Sequence, residues 1–301
     1  MVSETRRFAV GTSDRPRARA QAWVAADLRD RDGEPVGAVG GLEGTDETAA
    51  HDVIEEAVAW LTERGRRRVW APMNGDIWHG YRATTRGFDL DPYLGEPRTP
   101  PAHADWLEAA GFAVRQRWHS FELDGRAPLD ELGALHADAR RELPALGYRL
   151  TPLEGLPFDA IATRLHALLD RSFDGFLGYT PLSAEEFRAV LGPAGPALEP
   201  RASVFLEGPS GEDAGYSVAF DDTGRAARGA RSLLHLGGLV PGARRRGVAR
   251  GVLGDVVSRL RALDRPSVLV TLVAEGSPVR KLFGRFAEDR RREYALFERR
   301  T

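Results

Sequence analysis

Val240-Pro241-Gly242-Ala243-Arg244-Arg245-Arg246-Gly247-Val248-Ala249 is the stretch on which the reading of the fold turns. Before it, Ser232 to Val240 reads as a strand ending at Pro241. After it, Val248, Val252, Val256, Val257 and Leu260 recur at helical spacing within Gly247 to Leu263. Ser267 to Val273 then returns as a strand, which puts the loop at the strand-to-helix turn of a crossover unit. A helix start carries unpaired backbone N–H groups and the positive end of the helix dipole, so a diphosphate settles there if no Cβ blocks the backbone. Gly247 provides that clearance, and Arg244, Arg245, Arg246 and Arg250 add guanidinium groups suited to paired hydrogen bonds with phosphate oxygens. The competing reading is a solvated cluster of surface arginines. It leaves the glycine register and the strand-to-helix setting unexplained.

Working outward, Tyr148 to Leu153 reads as a strand, and Phe158 to Phe173 as a helix with Ile161, Leu165, Leu168 and Leu169 along one stripe. A second helix, Ser183 to Leu191, opens on a capping box of Ser183 and Glu186. Strands Ser203 to Glu207 and Gly215 to Phe220 flank a turn at Pro209 to Glu212. Upstream, Leu129 to Leu143 is a helix with Leu129, Leu132, Leu135, His136, Ala139 and Leu143 on one side. The first part repeats the order in shorter form: strands Arg19 to Leu28 and Val36 to Leu42 across Asp32-Gly33, a helix Ala50 to Arg64, and a strand Arg68 to Ala71. All six tryptophans fall within residues 1–118, so the two parts are built on different cores.

The loop resembles the signature Q/R-x-x-G-x-G/A of the GNAT (GCN5-related) N-acetyltransferases, read here as Arg244-Arg245-Arg246-Gly247-Val248-Ala249. The resemblance implies a fold of the α/β (α+β) class: two tandem GNAT-like domains, each a mixed, mostly antiparallel sheet flanked by helices. Residues 1–125 would form a degenerate copy, 126–146 a linking helix and 147–301 the catalytic domain. It further implies that the loop holds the diphosphate of acetyl-CoA, and that the preceding strand splays so Leu239 and Val240 offer backbone groups to the pantetheine arm.

Glu275 to Phe283 looks like the family's final helix, but Gly276 stands where relatives often carry an Asn, and Phe283 where many carry the Tyr that protonates the departing thiolate. Tyr294, in a stretch resembling the closing strand of a bacterial subgroup, is the substitute acid or else a packing residue. His235 is the candidate base: it lies four residues before Leu239 on the same strand face, in a register similar to that of the arylalkylamine acetyltransferases. A hydrogen-bonded core histidine is the competing reading, and Glu207 and Tyr216 are further candidates for the base. Phe176 and Tyr179 lie in Asp174 to Pro181, where the family meets its acceptor. Trp78, His79, Tyr81 and Arg82 lie in a segment, Ala71 to Arg82, that resembles one in tandem-domain members; they line the acceptor pocket or form a packed interface.

The first part's counterpart loop, Glu43-Gly44-Thr45-Asp46-Glu47-Thr48-Ala49, has no Arg or Lys. Each of its three carboxylates opposes a phosphate charge by up to about 4 kcal/mol at close range and an effective dielectric near 20. No coenzyme site is expected there, and Asp46 or Thr45 should cap the helix instead.

Composition bounds the rest. With 301 residues, 42% hydrophobic and 29% charged, the chain suits two globular domains. Cysteine is absent, which removes thiol catalysis and Cys-ligated metals, and no metal is expected. A net charge of −2 lacks the footprint of a nucleic-acid binder, and no apolar run suggests a membrane partner. The charged residues 1–7 do not read as a secretory leader, so a cytoplasmic location is expected. The leading expectation is acetyl transfer to a small-molecule amine. The alternatives are a noncatalytic acyl-CoA sensor and an aminoacyl-tRNA-dependent transferase of similar fold, which would not need the diphosphate loop.

Overall fold

The structure, a computed structural model, describes residues 2–12, 14–173, 175–222, 231–245, 247–283 and 290–301. The first half contains strands β1 (Val2–Gly11), β2 (Pro16–Arg29) and β3 (Pro35–Gly44), helix α1 (Glu47–Glu63), strands β4 (Arg68–Ala71) and β5 (Ala83–Arg86), helix α2 (Ala102–Ala109) and strand β6 (Ala113–Asp124). Helix α3 (Ala127–Glu142) leads to the second half: β7 (Arg149–Pro152), α4 (Phe158–Ser172), α5 (Ala184–Leu191), β8 (Val204–Glu207), β9 (Asp213–Asp222), β10 (Arg231–Leu239), α6 (Val248–Ala262), β11 (Ser267–Ala274), α7 (Pro278–Phe283) and β12 (Arg291–Arg300).

All twelve strands join one sheet, in the order β1-β2-β3-β4-β12-β6-β11-β10-β9-β8-β7, with β5 also pairing β12. In each half a strand leads through a helix to a parallel neighbour: β3 to β4 through α1, and β10 to β11 through α6. The closing strands are exchanged. β6, from the first half, pairs antiparallel with β11, while β12, from the second, pairs antiparallel with β4; the two lie side by side at the centre.

Helix α1 buries Val53, Ile54, Ala57, Val58 and Leu61, which recur at helical spacing, and Asp46 caps it by accepting from the Ala49 N–H at 3.0 Å. Helix α5 carries the expected reciprocal Ser183–Glu186 cap. Helix α6 buries Val248, Val252, Val256, Val257 and Leu260. On α3 the outcome is mixed: Leu129, Leu132 and His136 are buried, but Leu135 is 45% exposed, because α3 meets α6 along a narrow seam. Gly251 and Gly254 set that seam, since a Cβ on Gly251 would fall 2.6 Å from Leu143 Cγ and one on Gly254 2.8 Å from the His136 carbonyl. Among the described residues no helix is long and apolar enough to cross a membrane.

Candidate functional site

Strand β10 pairs in parallel with β11 only through Ser232, Leu233 and Leu234, yet stays paired with β9 as far as Leu239. Past Leu234 a gap therefore opens between β10 and β11, as the sequence reading expected. The β10–β9 register shifts between Leu234 and Leu236, which leaves His235 as the extra residue of a bulge at the head of the gap. The Val240 N–H donates to the Ala214 carbonyl at 3.0 Å. Antiparallel alternation then turns the backbone groups of Gly237 and Leu239 away from β9, into the gap.

Only one of the two expected backbone contacts is thus available. Val240 has its N–H in the β9 ladder and its carbonyl accepting from the Ala243 N–H at 2.9 Å. Leu239 keeps its N–H toward the gap, while its carbonyl accepts from Arg244 Nε at 3.1 Å. Gly237 was missed by the sequence reading, although a Gly-Gly pair inside an apolar strand was a signal of close backbone approach. Its neighbour Gly238 makes room for the Tyr216 hydroxyl, which would lie 2.9 Å from a Cβ there.

The gap runs toward the start of α6. Gly247 has φ +94°, a Cβ there would meet nothing within 4 Å, and no side chain caps the helix. The N–H groups of Gly247 and Ala249 meet no acceptor among the described residues, and the first turn holds no acidic residue. Arg244 and Arg245 are exposed and pair with no carboxylate among the described residues; Arg244 Nη2 also donates to the Ser172 carbonyl at 2.8 Å, and Arg245 Nε to the Gly242 carbonyl at 3.1 Å. Arg246 lies outside the described residues. Val248 faces the core and Ala249 solvent. Arg250 leans the other way, its Nη2 donating to the Leu135 carbonyl of α3 at 3.3 Å. Beside the loop is a cavity of about 630 Å³ lined by Asp170, Arg171, Glu212, Val240, Pro241 and Arg245 among others. Free amide donors, a helix dipole and two exposed guanidinium groups with no carboxylate partner among the described residues fit the diphosphate end of coenzyme A.

His235 is half-buried, its Nδ1 2.7 Å from Thr271 Oγ1 and its ring edge-on to Phe220 at 6.0 Å. Burial, assisted by the nearby Arg82 charge, pushes the imidazole down to about 4, so it is neutral at pH 7. Of the other two candidate bases, Glu207 is held by Arg149, Thr151 and Arg164, and Tyr216 shares a 3.1 Å hydrogen bond with Ser172.

Trp78, Phe176 and Tyr179 come together across the two halves. The Trp78 ring lies 5.9 Å from that of Tyr179, its Nε1–H donates to the Thr180 carbonyl at 2.9 Å, and the Phe173 ring packs at a tilt against Phe176 and Tyr179, at 4.8 and 5.6 Å. Tyr179 donates to Asp170. Next to them is a cavity of about 380 Å³, to which the β2–β3 turn adds Arg29 and Arg31, and the loop after α4 adds Phe176 and Tyr179. Tyr81 stands apart, buried edge-on to Trp118 at 5.6 Å.

Tyr294 does not sit at the gap. It lies on β12, two strands beyond β11, roughly 10 Å at the usual strand spacing. Its fully buried hydroxyl donates to Glu96 at 2.7 Å, and burial with the neighbouring Tyr93 and Glu96 raises its pKa strongly. That placement favours packing over proton delivery. Phe283 is buried as well.

In the first half the equivalent gap is closed. Beyond the β3–β4 pairing the Met73 N–H donates to the Val39 carbonyl at 2.8 Å, the Gly41 N–H donates to Asn74 Oδ1 at 2.9 Å, and a Cβ on Gly40 would fall 2.3 Å from that oxygen. Two of its three loop carboxylates are occupied too, Asp46 by Arg17 and Glu43 by Arg19.

Neither a family model nor a curated protein matches the sequence. Solved structures do resemble the fold. A GCN5-related N-acetyltransferase from Sphaerobacter thermophilus superposes with TM-score 0.52 at 12% identity, over 98% of this chain and 80% of that one. One from Kribbella flavida gives 0.51 at 13%, over 98% and 59%. A conserved protein of unknown function from Enterococcus faecalis gives 0.57 at 9%, over 99% and 62%. The likeness is one of fold: the chain carries the architecture of the GCN5-related N-acetyltransferases, with its halves in tandem.

Proposed function

We propose that this protein is an N-acetyltransferase that moves an acetyl group from acetyl-CoA to the amine of a small molecule, acting in the cytoplasm. The observation that carries the reading is the β10–β11 gap running into an uncapped helix start at Gly247, with the first half's counterpart plugged. Acetyl-CoA supplies a thioester whose carbonyl carbon bonds to the amine nitrogen as the C–S bond breaks and coenzyme A leaves as its thiolate, which takes its proton from water. The Gly247 and Ala249 amides, with Arg244 and Arg245, hold the diphosphate; the Gly237 and Leu239 backbone aligns the pantetheine amides. His235 has Thr271 on Nδ1, which leaves Nε2 for the acceptor. An imidazole with a pKa of about 4 is too weak to deprotonate a free alkylammonium. The acceptor therefore arrives as the neutral amine, and His235 takes the proton released as the C–N bond forms. The cluster of Trp78, Phe176 and Tyr179 borders the acceptor's path.

A second reading, a noncatalytic acyl-CoA sensor, gains from Tyr294 standing off the gap and Phe283 being buried, since neither supplies a proton to the thiolate. Calorimetric titration with coenzyme A, followed by thiol release over a panel of amines, separates the readings. Binding with turnover supports the enzyme, binding without turnover the sensor, and no binding rejects both.

A further inference from the structure

Four arginines are buried among the described residues, and three have carboxylate partners. Arg68 meets Asp32 at 3.0 Å and Glu34 at 2.8 Å, Arg231 meets Asp222 at 2.7 Å, and Arg292 meets Glu96 at 3.3 Å. Arg82 is the exception. It is 9% exposed, yet no carboxylate lies within ion-pair distance of it among the described residues. Its guanidinium lies 3.8 Å over the Tyr81 ring and 4.3 Å over the Trp118 ring, Nη2 donates to the Tyr81 hydroxyl, and Nε is buried with no partner. Aromatic faces offset part of the cost of burying a cation, but leave the in-plane N–H edge unsatisfied. Burial raises the hydroxyls of Tyr81, Tyr93 and Tyr294, Tyr93 to about 12, so none supplies a counter-charge at neutral pH.

The location of this cation matters. Trp118 pairs with Ala274, at the end of β11 from which β10 has diverged. The registers Phe220↔Leu233↔Leu269↔Glu122 share one face of the sheet, and regular alternation along β6 puts Trp118 on it; His235, edge-on to Phe220 with Nδ1 2.7 Å from Thr271 Oγ1, stands on the same face. Arg82 packs on that face, close enough for its charge to act on His235.

We propose that Arg82 is the docking point for a carboxylate on the acceptor, so the substrates are amino acids or related amines that carry an acid group. This rests on the acetyltransferase reading above. A guanidinium edge matches a carboxylate with two parallel hydrogen bonds, and a monoanion neutralises the single buried charge, where a phosphate dianion would leave an excess.

The test is calorimetric titration of the twenty amino acids and their carboxamides into the full chain, with and without coenzyme A, in wild type, Arg82→Gln and Arg82→Lys. At least one amino acid should bind about tenfold to a hundredfold more tightly than its carboxamide. Arg82→Gln should erase that difference, and Arg82→Lys should keep part of it and serve as the folded control if the glutamine variant melts early. The proposal is overturned if no acid outbinds its amide in wild type, absence of binding included, or if the difference survives in Arg82→Gln. Coenzyme A binding with no acid preference would sink the docking site and spare the acetyltransferase reading. An acid preference without coenzyme A binding would do the reverse.

Discussion

Replacing Gly247 with alanine tests the diphosphate site, because strain and crowding can be worked out separately there. Gly247 has φ +94° and ψ −34°, a region that L-residues avoid, at a cost of about 1–3 kcal/mol. A methyl group meets nothing within 4 Å, so no clash is added. Reduced freedom in the unfolded chain returns about 0.4–1 kcal/mol. The net loss is about 1–2 kcal/mol, read as a lower urea midpoint at unchanged slope. Gly242 is the matched control: it sits in a single helical turn, Pro241–Ala243, and its Cβ position is equally open, so Gly242→Ala should be neutral to slightly stabilising. The affinities should part in the same way. Calorimetry should find coenzyme A about tenfold weaker for Gly247→Ala, the equivalent of one lost charge-assisted hydrogen bond, and unchanged for Gly242→Ala. If Gly247→Ala is destabilised yet binds coenzyme A as wild type does, the diphosphate does not lie over that residue.

Three other perturbations are informative. His235→Gln should lower kcat about a hundredfold with coenzyme A affinity kept, and wild-type kcat/KM should rise with pH along the acceptor's own amine titration, without an inflection near 6.5; stopped-time thiol assays across pH check both. Between pH 6.5 and about 4 the unfolded chain binds a proton that folded His235 refuses, so this residue makes stability fall as pH drops through that window, by at most about 3 kcal/mol, a slope that His235→Gln should abolish in urea titrations. Gly251→Ala should cost about 1–3 kcal/mol in chemical denaturation, since the new Cβ falls 2.7 Å from the Ala139 carbonyl and forces α3 off α6. Trp78→Phe, which removes the bond to the Thr180 carbonyl, should raise the acceptor KM while leaving the affinity for coenzyme A alone unchanged.

The loop from Val240 to Ala249 was legible because the constraints there are local: a strand end, a glycine at positive φ and an amphipathic helix within a few turns of chain. The same holds for the Asp46 and Ser183 caps. Strand β1 gave no such signal, since it runs along a sheet edge with Glu4 to Arg7 exposed and no clean alternation. The position of Tyr294 depends on which strand lies between β12 and β11, a long-range pairing that no window of sequence contains. The isolation of Arg82 was hidden for the same reason. A sequence displays an arginine, but the lack of a carboxylate around it is a property of the whole packed face.

The crossed closing strands set a timetable for synthesis. β4 needs β12 as its neighbour, and β12 leaves the ribosome about 220 residues later, roughly ten to forty seconds at common elongation rates. Until then the nascent first half exposes a strand edge, with Trp70 on it, that a chaperone must shield or a second nascent chain can capture.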